Sequence, residues 1–235
     1  MRSVAVALLD LVYPPICAGC GQEPWADGEI LGDRCLNDLV WTSGRDCRKC
    51  GRVLGPHADP GSCLDCRGRS FAFARAVGAV AYRGLARKLV RRMKINRQAY
   101  LAGHFARWLA RRLKDEQIAA DLATCVPDRW SGRVRRGFNP ADEIARRVAK
   151  DLGLGYEPRL LRRVRRTPRQ VELTRAARLA NPVGVFAVRR GASLKGKRIL
   201  LVDDVMTTGA TLDACARALK AAGAKTIFAA AVARS

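Results

Sequence analysis

The sequence predicts an α/β chain, with a parallel or mostly parallel sheet flanked by helices and a small cysteine-rich region in front of it. Three observations carry this expectation. From residue 71 to residue 235, strand-like apolar runs alternate with segments of helical period, the pattern of a sheet built from strand–helix–strand units. Ile199 to Val202 is an unbroken apolar run of the kind expected of a strand buried on both faces. Before residue 70 six of the seven cysteines fall in C-x-x-C pairs, which in a chain read as cytosolic point to metal before disulfides.

Length and composition bound the partners. At 235 residues the chain has room for one ordinary domain and a smaller one. With 49% hydrophobic and 6% aromatic residues it falls outside the disordered class. A formal charge of +23 attracts polyanions such as nucleic acid, acidic membrane or phosphorylated metabolites; an arginine-rich composition is the competing account of the same number. No apolar run approaches the ~20 residues of a membrane span. Residues 3–12 read as a short helix, because Asp10 interrupts the apolar stretch and Tyr13-Pro14-Pro15 replaces a cleavage site. A cytoplasmic location is expected.

Seven of the nine cysteines lie between Cys17 and Cys66. Cys47-x-x-Cys50 and Cys63-x-x-Cys66 stand twelve residues apart; each pair sets two thiolates on one tight turn, and two such turns complete a zinc tetrahedron. The first set is less regular. Cys17-x-x-Cys20 is followed by Cys35-Leu36-Asn37-Asp38, with a carboxylate where a fourth thiolate would stand. Three thiolates and one oxygen close a tetrahedron, and Asp38 serves equally well as a helix cap or a solvent-facing acid, so structural zinc is expected at one or two sites. His57 reads as a loop histidine. A region this small has no real core, and metal would supply its folding free energy.

Beyond a boundary near residue 70, Ala76–Tyr82 reads as a strand, and Gly84–Met93 and Leu101–Leu113 as helices whose arginines lie around an apolar stripe. Leu122–Pro127 is a further strand, with Cys125 as a buried strand residue. The loop 128–139 follows and carries four arginines, whose forked donors suit a pyrophosphate. Ala141–Leu152 is a helix, Leu160–Gln170 a basic loop, and Thr226–Val232 a final strand after a stop at Gly223.

The most informative stretch joins the strand at 199–202 to a helix at 212–220. Asp203 and Asp204 come at once after the apolar run, and Val205, Met206, Thr207, Thr208, Gly209, Ala210 and Thr211 follow. A loop feeding a helix N-terminus offers unpaired N–H groups and the positive end of the helix dipole to a phosphate. Adjacent carboxylates at a strand's carboxyl end suit vicinal hydroxyls. The implied ligand is a sugar phosphate, although neither G-x-x-x-x-G-K-[ST] nor G-x-G-x-x-G is present.

The stretch from Ile199 to Thr211 resembles the 5-phosphoribosyl-1-pyrophosphate motif of type I phosphoribosyltransferases. Together with the paired zinc knuckles, and with Tyr82-x-Gly84, Lys94, Arg136-Gly137-Phe138-Asn139 and the pattern Thr167, Gln170, Leu173, Arg178, Asn181, Phe186, it resembles the ComF family over about residues 13–235. The resemblance implies a double zinc ribbon over 13–69 and a type I phosphoribosyltransferase-like domain over 70–235. It implies that Asp203 and Asp204 hold the ribose hydroxyls, that residues 205–211 cradle the 5-phosphate, and that Arg136 and Lys94 act with magnesium on the pyrophosphate. The chain departs from the family pattern at Asp38, where relatives have cysteine, and at Asp128-Arg129, where they have Leu-His.

Two functions compete at this point. One is a magnesium-dependent transferase moving phosphoribose from phosphoribosyl pyrophosphate to an unnamed nucleophile. The other follows from the association of ComF relatives with competence and DNA uptake: a non-catalytic protein that binds single-stranded DNA through its charge and zinc ribbons. Few aromatics, Trp108 and Trp130 among them, stand near the basic segments to stack bases.

Overall fold

The computed structural model describes residues 16–22, 29–44, 46–55, 58, 61, 63–128, 137–164 and 184–235. The expected helix at 3–12, His57, Trp130, Arg136 and the segment holding Thr167, Gln170, Leu173, Arg178 and Asn181 lie outside these residues.

Five strands form a parallel sheet: β1 (Arg75–Ala81), β2 (Leu122–Cys125), β3 (Gly155–Tyr156), β6 (Arg198–Met206) and β7 (Thr226–Arg234), in the order β1-β7-β6-β2-β3. A second, two-stranded antiparallel sheet pairs β4 (Leu161–Arg163) with β5 (Phe186–Val188). It replaces the basic loop expected from residue 160: Leu161 and Phe186 are buried, and the guanidinium of Arg163 stacks 4.8 Å from the Phe186 ring. Three arginines within six residues hid that alternation in the sequence.

Among the described residues the α-helices are α1 (Asp33–Asn37), α2 (Gly84–Ile95), α3 (Leu101–Asp115), α4 (Pro140–Leu152) and α5 (Ala210–Ala221). They cover both faces of the sheet. On one face Leu200 and Val202 of β6 pack with Leu89 and Met93 of α2, Phe105 and Leu109 of α3, and Ile144 and Val148 of α4. On the other, Ile199 and Leu201 pack with Leu212 and Leu219 of α5. Successive residues of a strand face opposite ways, so the apolar run of β6 divides between two cores, as its composition predicted.

The cysteine-rich region lies against β1, the sheet's edge strand. The N–H of Ala76 donates to the carbonyl of Lys49 at 2.9 Å, that of Thr42 to Ala79 at 3.2 Å, and that of Ala81 to Val40 at 2.7 Å. Beside these bonds the buried Arg112 of α3 pairs with Asp46 at 2.7 Å and also bonds Glu116, which reaches Arg75. Burial raises the Asp46 carboxyl above its ordinary range despite the Arg112 charge beside it.

Trp108 is not a stacking platform. It is buried in the core, edge-on to Trp41 at 5.4 Å and tilted against Phe105. Its place on the apolar stripe of α3, with Phe105, Leu109 and Leu113, accounts for this.

Candidate ligand site and zinc centres

The crevice arises because neighbouring strands end at different heights. β2 stops at Cys125, which pairs with Val202, whereas β6 continues through Asp203, Val205 and Met206 on partners that β7 supplies. The acidic pair therefore belongs to the strand, not to the turn after it, and its β2-side edge is open beyond Val202. The chain leaves β2 for β3 on one side and returns to β6 on the other, with α4 and α5 on opposite faces. Such a reversal at the carboxyl ends of the strands is where open α/β sheets take ligands.

Alternation along β6 sends Asp204 to the same face as Leu200 and Val202, the face of α2. Lys94, near the end of α2, meets it there, Nζ to Oδ1 at 2.7 Å. Burial works against the Lys94 ammonium, but the Asp204 and Asp203 carboxylates outweigh it and raise its pKa. Asp203 accepts the N–H of Asp204 at 2.8 Å. Burial and the neighbouring Asp204 carboxylate push Asp203 up to about 7, with Asp128 adding to the rise and Lys94 opposing it. The structure thus brings together Asp203, Asp204 and Lys94, residues separated by more than a hundred positions in the chain.

Beyond Met206 the loop Thr207–Gly209 enters α5. Gly209 has φ +79°, and a Cβ there would lie 2.7 Å from Cε of Met206, so both the turn and the packing require glycine. The hydroxyl of Thr208 accepts the N–H of Ala210 at 3.4 Å. The loop thus delivers the N-terminal turn of α5, the kind of element at which anions bind, to the carboxyl end of β6.

Several residues that hold the loop were not singled out in the sequence. Asp213, buried in the first turn of α5, accepts the N–H of Ala72 at 2.6 Å and pairs with Arg217 at 3.0 Å. Arg69 lies 4.7 Å from the Phe71 ring and donates to the carbonyl of Thr208 at 3.1 Å. Arg234, at the end of β7, is buried against the loop. An arginine closing an otherwise apolar strand was the available signal for the last of these.

On the far side of the crevice, Asn139 caps α4: its Oδ1 accepts the N–H of Ala141 at 3.1 Å and its amide donates to the carbonyl of Val126 at 3.2 Å. This ties the end of β2 to α4, a structural use for the final residue of Arg136-Gly137-Phe138-Asn139. Cys125 is buried as expected, and burial pushes its thiol up to about 12, far from a nucleophilic thiolate.

The cysteines gather in two clusters. Cys47, Cys50, Cys63 and Cys66 bring their sulfurs within 4.8 Å of one another, and so do Cys17, Cys20 and Cys35. Cys17 sulfur accepts N–H groups from Gly19 and Gly32, each at 3.3 Å. Burial alone would raise that thiol, but the backbone N–H groups of Cys20, Gly32 and Gly19 outweigh it and bring it down to about 7. Four sulfurs at this spacing fit zinc. Asp38 does not join the first cluster: it is the C-cap of α1, its N–H bonded to Arg34 at 3.1 Å. The helical turn from Cys35 carries residue 38 past the sulfurs, which a C-x-x-C knuckle would not do, so the described ligand set there is three thiols.

Comparison with known proteins agrees with this arrangement. Residues 8–67 match the model of the double zinc ribbon domain, and residues 134–235 that of the phosphoribosyl transferase domain. The DNA utilization protein YhgH of Salmonella typhi is 31% identical over 188 residues, covering 77% of this chain and 80% of that protein. Its namesake in Escherichia coli strain K12 is 28% identical and covers 92% and 96%. Competence protein F of Haemophilus influenzae is 26% identical and covers 77% and 81%. A double zinc ribbon followed by a phosphoribosyltransferase-type α/β domain, shared over most of their length with these relatives, makes the chain a member of the ComF family.

Proposed function

We propose that the crevice binds 5-phosphoribosyl-1-pyrophosphate and that the protein transfers its phosphoribosyl group to a nucleophile. One observation carries the reading: an acidic pair at the open carboxyl end of β6, joined by Lys94 at 2.7 Å, directly before a Thr/Gly loop that opens a helix. Asp203 and Asp204 accept from the ribose hydroxyls. Residues 205–211 surround the 5-phosphate, and Lys94 serves the pyrophosphate, the role that the family resemblance gives to Arg136 as well.

In the reaction the bond from C1 to the pyrophosphate oxygen breaks with its electron pair leaving on oxygen, and the nucleophile bonds to C1 and gives up its proton to the departing pyrophosphate. The chain's part is to orient the sugar, match the charge of the leaving group and exclude water. The carboxylate oxygens of the crevice suit a hard divalent cation, and magnesium bound with the pyrophosphate supplies further neutralisation of its charge. The ribbon, assigned to 13–69, and the domain, assigned to 70–235, are joined by the backbone bonds along β1.

Calorimetric titration of the zinc-loaded protein with phosphoribosyl pyrophosphate and magnesium tests the reading, alongside Asp203→Ala/Asp204→Ala. Binding lost in the variant supports it; absence of binding to the wild type sinks it.

A second reading, DNA binding, has its own support. Arg87, Lys88 and Arg91 are exposed along α2 and Arg83 at its N-cap, and Tyr100 is exposed just beyond; relatives carry the names DNA utilization and competence proteins. Binding of a fluorescent single strand that weakens steeply with salt, and falls in Arg87→Glu/Lys88→Glu/Arg91→Glu without loss of phosphoribosyl pyrophosphate binding, would support it.

A further inference from the structure

The geometry points to Arg234 as a positioning residue through which the four-cysteine centre aims the phosphate loop. This inference rests on the reading of residues 205–211 as the 5-phosphate cradle. Arg234 is 3% exposed, and its guanidinium lies between two parts of the molecule that are far apart in sequence. On one side Nε donates to the carbonyl of Cys50 at 2.8 Å, and Nη2 approaches Cys50 sulfur at 3.6 Å. On the other, Nη1 donates to the carbonyl of Met206 at 3.3 Å and also to those of Thr207 and Ser235.

Planar trans peptides convert this contact into ligand geometry. The N–H of one residue points opposite to the carbonyl of the residue before it. Holding the Met206 and Thr207 carbonyls on Arg234 therefore turns the N–H groups of Thr207 and Thr208 away from it, and Arg69, by holding the Thr208 carbonyl, does the same for Gly209. Successive N–H groups aimed outward make an anion-binding concavity.

The Cys50 side completes the device. Four thiolates around zinc carry an excess of negative charge, so the buried guanidinium has an anionic partner on that side and satisfied carbonyls on the other. It behaves as an outer-shell group of the metal centre and as a fixed strut of the loop. The fold reserves space for it: a Cβ on Gly78 of β1 would lie 2.9 Å from Cβ of Arg234.

The test compares the full-length, zinc-loaded wild type with Arg234→Met, Arg234→Lys and Gly78→Ala. The probes are ribose 5-phosphate and pyrophosphate, each titrated separately, and amide hydrogen exchange across residues 207–210. Loss of charged hydrogen bonds in Arg234→Met is expected to weaken ribose 5-phosphate about tenfold. Pyrophosphate affinity and zinc content stay unchanged, and loop amides exchange faster. Arg234→Lys recovers part of the affinity, because an ammonium keeps the charge without the fork. Gly78→Ala keeps the arginine but displaces it, giving the same split in smaller measure, and serves if Arg234→Met does not fold.

Equal loss of both ligands, or loop exchange and ribose 5-phosphate affinity that match the wild type, would overturn the assignment. If the wild type binds neither probe, the functional reading fails. The role of Arg234 is then decided by exchange alone: faster in the loop with ribbon amides unchanged upholds it, and unchanged exchange refutes it.

Discussion

Lys94→Met is the substitution that questions the crevice most directly. Its ammonium is 2.7 Å from Asp204. At that separation Coulomb's law with an effective dielectric near 20 gives about 6 kcal/mol. That gross attraction is offset by the cost of desolvating both charges and by solvent at Lys94, whose side chain is 34% exposed; the net effect expected is ~1.4 kcal/mol, equivalent to about one pH unit. Removing the cation leaves Asp203 and Asp204 to face each other and Asp128, while the buried Cys125 and Cys215 thiols beside them stay neutral because burial raises both.

The sign follows from Asp203, whose value near 7 in the fold exceeds its ordinary 3.8. Between those limits the folded protein holds a proton that the unfolded chain has released. The unliganded protein therefore loses stability as pH rises from about 4 to about 7, while affinity for phosphoribosyl pyrophosphate, which needs ionised hydroxyl acceptors, rises toward and through pH 7. In Lys94→Met the affinity-against-pH curve should move up by about one unit, measured by calorimetry from about pH 5 to about pH 9, roughly two units either side of the wild-type midpoint. An unmoved or lowered midpoint would refute the coupling of Lys94 to the acidic pair.

Other substitutions read separate parts of the design. Gly209→Ala forces a Cβ to 2.7 Å from Met206 in a left-handed turn; a cost of at least about 1 kcal/mol should appear in thermal stability and as weakened ribose 5-phosphate binding. Arg112→Met strands the buried Asp46 carboxylate and should cost about 3–5 kcal/mol in urea unfolding, much of it recovered in Arg112→Met/Asp46→Asn. Cys63→Ser should remove one bound zinc by elemental analysis while leaving the Cys17, Cys20 and Cys35 cluster loaded.

What the sequence made legible followed physical periodicity. The run Ile199–Val202, the stripes of α2–α5 and the C-x-x-C spacings each impose a pattern every few residues, and the fold class and second zinc cluster could be read from them. The Lys94–Asp204 pair was foreseeable only in part, because its 110-residue separation is closed by the sheet order. Arg234, Arg69 and Asp213 gave no periodic signal: each acts through backbone atoms, whose positions no side-chain pattern records. Asp38 stayed open between ligand, cap and solvent-facing acid for a similar reason, since a helical turn and a zinc knuckle can begin with the same residues; the fold makes it the C-cap of α1.

The bonds between the ribbon and β1 also bear on solubility. β1 is the last strand on its side of the sheet, and its outward N–H groups at Ala76 and Ala81 are occupied by the carbonyls of Lys49 and Val40. Edge strands left open recruit strands from other molecules. The ribbon is thus a cover for the raw margin of the sheet, clasped shut by metal. A chain that loses its zinc uncovers that margin, and its first failure is addition of copy to copy along β1 and not simple loss of the small domain.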